Sequence, residues 1–120
     1  MSESSHHPQI ALRTSGWWEF LCWGLGLRQR VVIEGESMLP LLEPGDEVLM
    51  SSRSPEPGQL VVAQHPFKSV LLIKLLDSCE QDRCWLLGLN PAESTDSRSL
   101  GNFSKQALLG VVTSKLPERV

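Results

Sequence analysis

Apolar positions along this chain fall into short runs, each closed by proline, glycine or serine punctuation. Residues 30–33 form a small β-branched run. Residues 47–51 follow Pro44-Gly45, a dipeptide with type II turn chemistry. Proline presets the first central angle and glycine takes the positive φ at the second. Residues 52–58 read as a loop. Residues 60–64 and 69–77 are two further runs, linked through His65-Pro66-Phe67-Lys68. Residues 84–89 make another, ended by Asn90-Pro91, and residues 108–115 the last. Such short runs with turn signals between them predict strands that pair with their neighbours in antiparallel fashion. Outside residues 17–27, little shows helical spacing over a useful length. The pattern predicts one mainly β domain over residues 15–120, opening on a short helical segment. Residues 1–14 are polar and predicted to form a disordered tail. There is no internal repeat and no interdomain linker.

Composition narrows the function classes. A chain of 120 residues makes one domain with a modest core. The net charge is −3, with no run of five basic residues, which argues against a nucleic-acid surface. His6 and His7 lie in the tail, and no CxxC occurs, so no metal and no cofactor are expected. The three cysteines are Cys22, Cys79 and Cys84. Free thiols in a reducing compartment are the expectation. The alternative is that Cys79 and Cys84 face each other across a hairpin closed by residues 80–83. Residues 17–27, rich in tryptophan, fall short of the roughly 20 apolar residues that a membrane span needs. They also lack the basic start and cleavage site of a signal peptide. They are expected to dock on the protein's own core, with a seat at a membrane interface as the alternative. A cytoplasmic location is expected, and a peripheral membrane location is the alternative.

The chemistry centres on two residues. Ser37 sits in Gly35-Glu36-Ser37-Met38-Leu39-Pro40, just ahead of Glu43-Pro44-Gly45-Asp46. A serine hydroxyl is a weak nucleophile and needs a base within hydrogen-bond reach. His65 is a poor base candidate, since it lies at a strand end with no acid near it in sequence. Lys74 is better placed. Side chains alternate along a strand, so Val70, Leu72, Lys74 and Leu76 share one face, apolar except for the lysine. Burial disfavours the charged ammonium and so favours a lysine able to take a proton. Taken alone, Ser37 also fits a turn-capping role and Lys74 a snorkelling one. Asp96 and Arg98 stand two apart, would share a strand face, and are able to form an ion pair.

Four segments in order resemble the signal peptidase I family. Gly35-x-Ser37-Met38-x-Pro40-x-Leu42 with Gly45-Asp46 is similar to its nucleophile box. Gly58-Gln59-Leu60-Val61-Val62 with His65-Pro66 is similar to its next strand, and Ile73-Lys74 to the box of its base. Residues 88–98, with Gly101 and Leu109-Gly110-Val111-Val112, are similar to its C-terminal box. The resemblance implies the antiparallel β fold shared by signal peptidases and repressor-cleavage domains. It implies a Ser/Lys dyad, with Ser37 attacking the peptide carbonyl and Lys74 taking its proton. Ser94 then corresponds to a serine that orients the lysine, and Asp96 and Arg98 to a pair that supports the site. Three positions depart from the family pattern: Leu75 after the lysine, Gly88-Leu89-Asn90, and Leu41. Gly35 stands where some members carry an oxyanion-donating serine, which leaves that duty to backbone N–H groups. Within the family the chain most resembles the maturation proteases of nickel-type superoxide dismutase. The implied partner is that dismutase's precursor, whose N-terminal propeptide would be removed. The alternatives are a leader peptidase of exported proteins and a non-catalytic peptide-binding domain on the same fold. A self-cleaving repressor switch also shares the dyad, but residues 1–30 are too short for the DNA-binding domain it needs.

Overall fold

The computed structural model describes residues 12–33, 38–39, 41–90 and 95–117. Seven strands form one antiparallel sheet: β1 (Gln29–Val32), β2 (Glu47–Ser51), β3 (Leu60–Gln64), β4 (Leu71–Glu80), β5 (Arg83–Leu87), β6 (Phe103–Ser104) and β7 (Leu108–Lys115). Their order across the sheet is β1-β2-β7-β3-β4-β5-β6. Helix α1 (Trp17–Gly24) precedes them, and the single-turn α2 (Ser97–Leu100) lies between β5 and β6. The mainly β fold with a short N-terminal helical segment is therefore present. No helix among the described residues is long and apolar enough to cross a membrane.

Turn chemistry sets the strand limits. In Glu43-Pro44-Gly45-Asp46, Gly45 takes φ +93° and the Asp46 N–H donates to the Glu43 carbonyl at 3.0 Å. The Asp46 carboxylate then accepts from the Glu43 N–H at 2.9 Å. Glu56-Pro57-Gly58-Gln59 repeats the device, with Gly58 at φ +93° and the Gln59 side chain accepting from the Glu56 N–H at 2.8 Å. Each turn delivers the chain into a core strand, β2 in one case and β3 in the other.

The sheet is buried on both faces where β3 runs. Leu60 and Val62 point into one apolar cluster with Val48, Met50, Ile73, Leu75 and Val112. Val61 and Ala63 point into the other, with Leu76, Cys84, Leu86 and Phe103. A strand paired on both edges and covered on both faces has no polar position to spare, which explains the unbroken Leu-Val-Val-Ala run.

The structure departs from the sequence expectation in several places. β4 runs on to Glu80, past the expected end at residue 77, because Ser78, Cys79 and Glu80 pair with β5 across a two-residue loop. That loop puts Gln81 in the left-handed region, φ 56°. It also sets Cys79 opposite Cys84, and the two are joined by a disulfide. The expectation of free thiols holds for Cys22 alone, which is buried. Ahead of α1, the Arg13 carbonyl accepts from the Lys115 N–H at 2.9 Å.

Gly110 in β7 marks the tightest backbone approach. A Cβ built there would lie 2.3 Å from the Ser51 carbonyl oxygen and 2.8 Å from Met50 Cγ. Gly110→Ala should therefore separate β2 from β7 and destabilise the fold by about 1–3 kcal/mol, the usual range for overpacking. Urea denaturation checks this; an unchanged midpoint would show that β2 yields freely.

Candidate active site

Lys74 lies in the first half of β4, opposite Val61 of β3. It is only 1% exposed, and Leu72 and Leu76 lie two residues to either side on its strand face. Of the two readings the sequence left open for this lysine, burial and snorkelling to water, the structure shows burial. The β4 backbone around it has an asymmetry. β5 pairs with β4 only from Leu75 onward, so among the described residues the stretch from Leu71 to Lys74 is paired with β3 alone.

The sheet curls so that this open edge faces the edge of β1. Residues 29–32 and 69–71 together line a cleft of about 320 Å³. A smaller cavity beside it is lined by residues 31–33 and 71–73 together with Met38. Met38 and Ile73 belong to the same apolar cluster. Met38 follows Ser37 in the chain and Ile73 precedes Lys74. Ser37 and Ser94, the expected nucleophile and lysine-orienting serine, lie outside the described residues.

Asp96 and Arg98 form an ion pair, with Arg98 Nη2 2.6 Å from Asp96 Oδ2. They do not share a strand face, as the sequence suggested. Asp96 is the N-cap of α2 and Arg98 its second residue. The reason is local: the Asp96 carboxylate accepts from the Arg98 N–H at 2.9 Å, which starts a helical turn. Gly101, at φ 81°, ends it. Asp96 is fully buried and also accepts from the Gly88 N–H at 2.8 Å. It thereby clamps the exit of β5 to α2. Burial pushes the Asp96 carboxyl upward, but the Arg98 side chain, the Gly88 and Arg98 amides and the Arg98 charge outweigh it and hold the group below its usual value.

Ser97 is a positioning residue that sequence reasoning missed. It is buried, and its Oγ accepts from the Leu86 N–H at 2.8 Å, taking up an amide on the far edge of β5. The signal for it was the Asp-Ser-Arg-Ser run ahead of Gly101, which reads as a capped turn. His65 is occupied structurally: its Nδ1 accepts from the Phe67 and Lys68 N–H groups at 3.0 and 3.2 Å, bracing the β3–β4 connection. Among the described residues no group of three or more His, Cys, Asp or Glu is placed to hold a metal ion.

A family model described as Peptidase S24-like matches residues 30–113, more than two thirds of the chain. That span runs from β1 into β7 and contains Ser37, Lys74, Ser94, Asp96 and Arg98. No curated protein matches the chain.

The depressed Asp96 value makes stability depend on pH. A carboxyl whose folded value lies below its unfolded one, about 3.9, stabilises the fold above that unfolded value. The contribution is lost as pH falls through the folded one. Asp96→Asn should therefore cost roughly 1–3 kcal/mol near neutral pH, as expected for hydrogen bonds to a charged group. The gap from the parent protein should narrow as pH falls below the unfolded value and through the folded one. Urea melts of both proteins across that range decide it, and a gap that stays constant would place the Asp96 contribution in shape rather than charge.

Proposed function

The chain belongs to the Peptidase S24-like family, and we propose that it is a serine endopeptidase working through a Ser37/Lys74 dyad. A serine-peptidase type of domain follows from the family; the dyad is our reading of this chain. The observation that carries it is the burial of Lys74 on an apolar strand face, one residue from Ile73. Ile73 lines a cavity with Met38, the neighbour of Ser37.

In this reading neutral Lys74 accepts the Ser37 hydroxyl proton as Ser37 Oγ attacks the peptide carbonyl carbon. Backbone N–H groups hold the resulting oxyanion. Lys74 then passes the proton to the departing amine, and the C–N bond breaks to leave an ester on Ser37. Water, deprotonated by Lys74, attacks the ester and releases the acid. Ser94 orients the lysine. Asp96 and Arg98 support the site by fixing the segment after β5.

Substrate would bind as an added strand in the cleft between β1 and residues 69–71, with main-chain hydrogen bonds setting its register. Among the described residues, the edge of β4 at Leu71–Lys74 and the outer edge of β1 carry no strand partner, which favours an extended, flexible segment over a folded surface. A propeptide has that character. The box resemblance to the nickel-type branch makes the nickel superoxide dismutase precursor the substrate we propose. A second reading, a leader peptidase of exported proteins, draws on the tryptophans that α1 exposes.

Ser37→Ala and Lys74→Met should each lower cleavage by a factor of about 10³ or more, because nucleophile and base act as one unit. The methionine keeps the buried volume, so circular dichroism should show the fold retained. Lys74→Met with a tenth or more of parental activity would remove the lysine from the mechanism.

Incubated with nickel superoxide dismutase precursor, the protein should cut once, at the boundary of the propeptide. Mass spectrometry of the products reads the site. Cleavage of a secretory signal peptide with the precursor untouched would select the leader-peptidase reading, and no cleavage of either would leave a peptide-binding domain.

A further inference from the structure

Helix α1 is turned the wrong way round for an aqueous surface. Its two buried residues are Glu19 and Cys22, three apart on one stripe. Its tryptophans face outward: Trp17 is 76% exposed, Trp18 59% and Trp23 37%. Phe20, Leu21, Leu25 and Leu27 are exposed with them. The segment docks on the protein as expected, but through Glu19 and Cys22, and its tryptophans are left outward. Aromatic side chains carry roughly 150–250 Å² each, so the four rings at these exposures present on the order of 400 Å² to their surroundings.

The reason for the orientation is the glutamate. The Glu19 carboxylate accepts from Arg28 Nε and Nη2 at 3.3 Å, from Ser114 Oγ at 3.0 Å and from Thr113 Oγ1. Ser15 Oγ and Ser114 Oγ are hydrogen-bonded at 2.7 Å behind it. Burial alone would raise the Glu19 carboxyl; these donors and the Arg28 charge hold it lower, so it stays ionised and satisfied. Withdrawing the only charge between residues 16 and 27 leaves an outer surface of Trp, Phe, Leu and Gly.

We propose that this surface seats the chain on an anionic lipid interface. Three observations select lipid as the occupant. Tryptophan is the side chain that favours the headgroup level of a bilayer, where its ring is apolar and its N–H stays wet. No carboxylate faces outward along the segment, so nothing there is repelled by lipid phosphates. The charge around it is also opposite to that of the molecule. Residues 12–30 hold Arg13, Arg28 and Arg30 against Glu19 alone, a formal +2, in a chain of −3, which leaves −5 for the rest. Arg30 also pairs with Glu47 at 3.0 Å, while Arg13 is the most exposed of the three and lies 4.0 Å from Glu19. A short helix lying flat, backed by protein and flanked by arginine, is the arrangement of an interfacial anchor.

Flotation of the full chain with vesicles of phosphatidylcholine and phosphatidylserine, three to one, tests this. The parent protein should float, and its tryptophan emission should shift to the blue. Replacing Trp17, Trp18 and Trp23 together by serine should weaken partitioning by about tenfold or more, and Arg13→Gln should weaken it less. Ser37→Ala should bind as the parent does, so that failure here is separate from failure of the proposed catalysis. Quenching of the parent's tryptophans by bromine-labelled acyl chains reads the same contact without any substitution. Unquenched emission and no flotation would overturn the proposal. So would a dimer in sedimentation that the triple variant dissociates, with no vesicle binding, because a second copy would then cover the surface.

Discussion

An amine inside an apolar sheet must either keep a compensated charge or lose its proton, and Lys74 is held inside such a sheet at 1% exposure. That constraint organises the rest. β4 has to be apolar to either side of the lysine, which it is from Leu71 to Leu76. It has to be pinned firmly enough that the side chain does not swing to water, and five consecutive pairs with β3 do this. β3 in turn is locked between β4 and β7. Burial in a low-dielectric site disfavours the charged form of an amine, which is the condition the proposed proton acceptor requires.

Two other ionisable side chains are buried with their charges compensated. Glu19 and Asp96 are both enclosed, and for both the enclosure alone would raise the carboxyl. Each is instead held low by an arginine and by hydrogen-bond donors from a strand or strand end. Each also fastens a helix: Glu19 ties α1 to β7, and Asp96 ties α2 to the end of β5. Paired and saturated carboxylates serve as fasteners because their hydrogen-bonding capacity is spent. The curl of the sheet brings the edge of β1 to residues 69–71, leaving room for an extended chain between them.

Much of this was legible in the residues, for physical reasons that differ by element. β2, β3 and β7 have the limits expected, and Glu-Pro-Gly turns set the starts of β2 and β3. Lys74 stood out because a single charge in an apolar run has few explanations. The far end of β4 was hidden: Ser78 and Glu80 are polar, and only their pairing with β5 makes them strand. α2 was hidden because one turn has no periodicity; its signal lay in the Asp96 cap and Gly101. The tryptophans misled. Hydrophobicity in a segment too short to span suggests core, and nothing in the pattern showed that Glu19, rather than the aromatic rings, would turn inward to meet Arg28, Thr113 and Ser114. The disulfide was open as one of two readings, and the two-residue loop at Gln81-Asp82 decided it by setting Cys79 opposite Cys84. Ser37 and Ser94 were legible as candidates, and their placement lies outside the described residues.

The account stands most directly on the protonation of one nitrogen. Titration of the Lys74 Nζ by NMR in lysine-labelled protein, with the resonance assigned by its loss in Lys74→Met, measures it without substrate. The account predicts that Lys74 gives up its proton well below the value of a free lysine, about 10.4. A Lys74 that keeps its proton up to that range would contradict a neutral lysine base and, with it, the dyad.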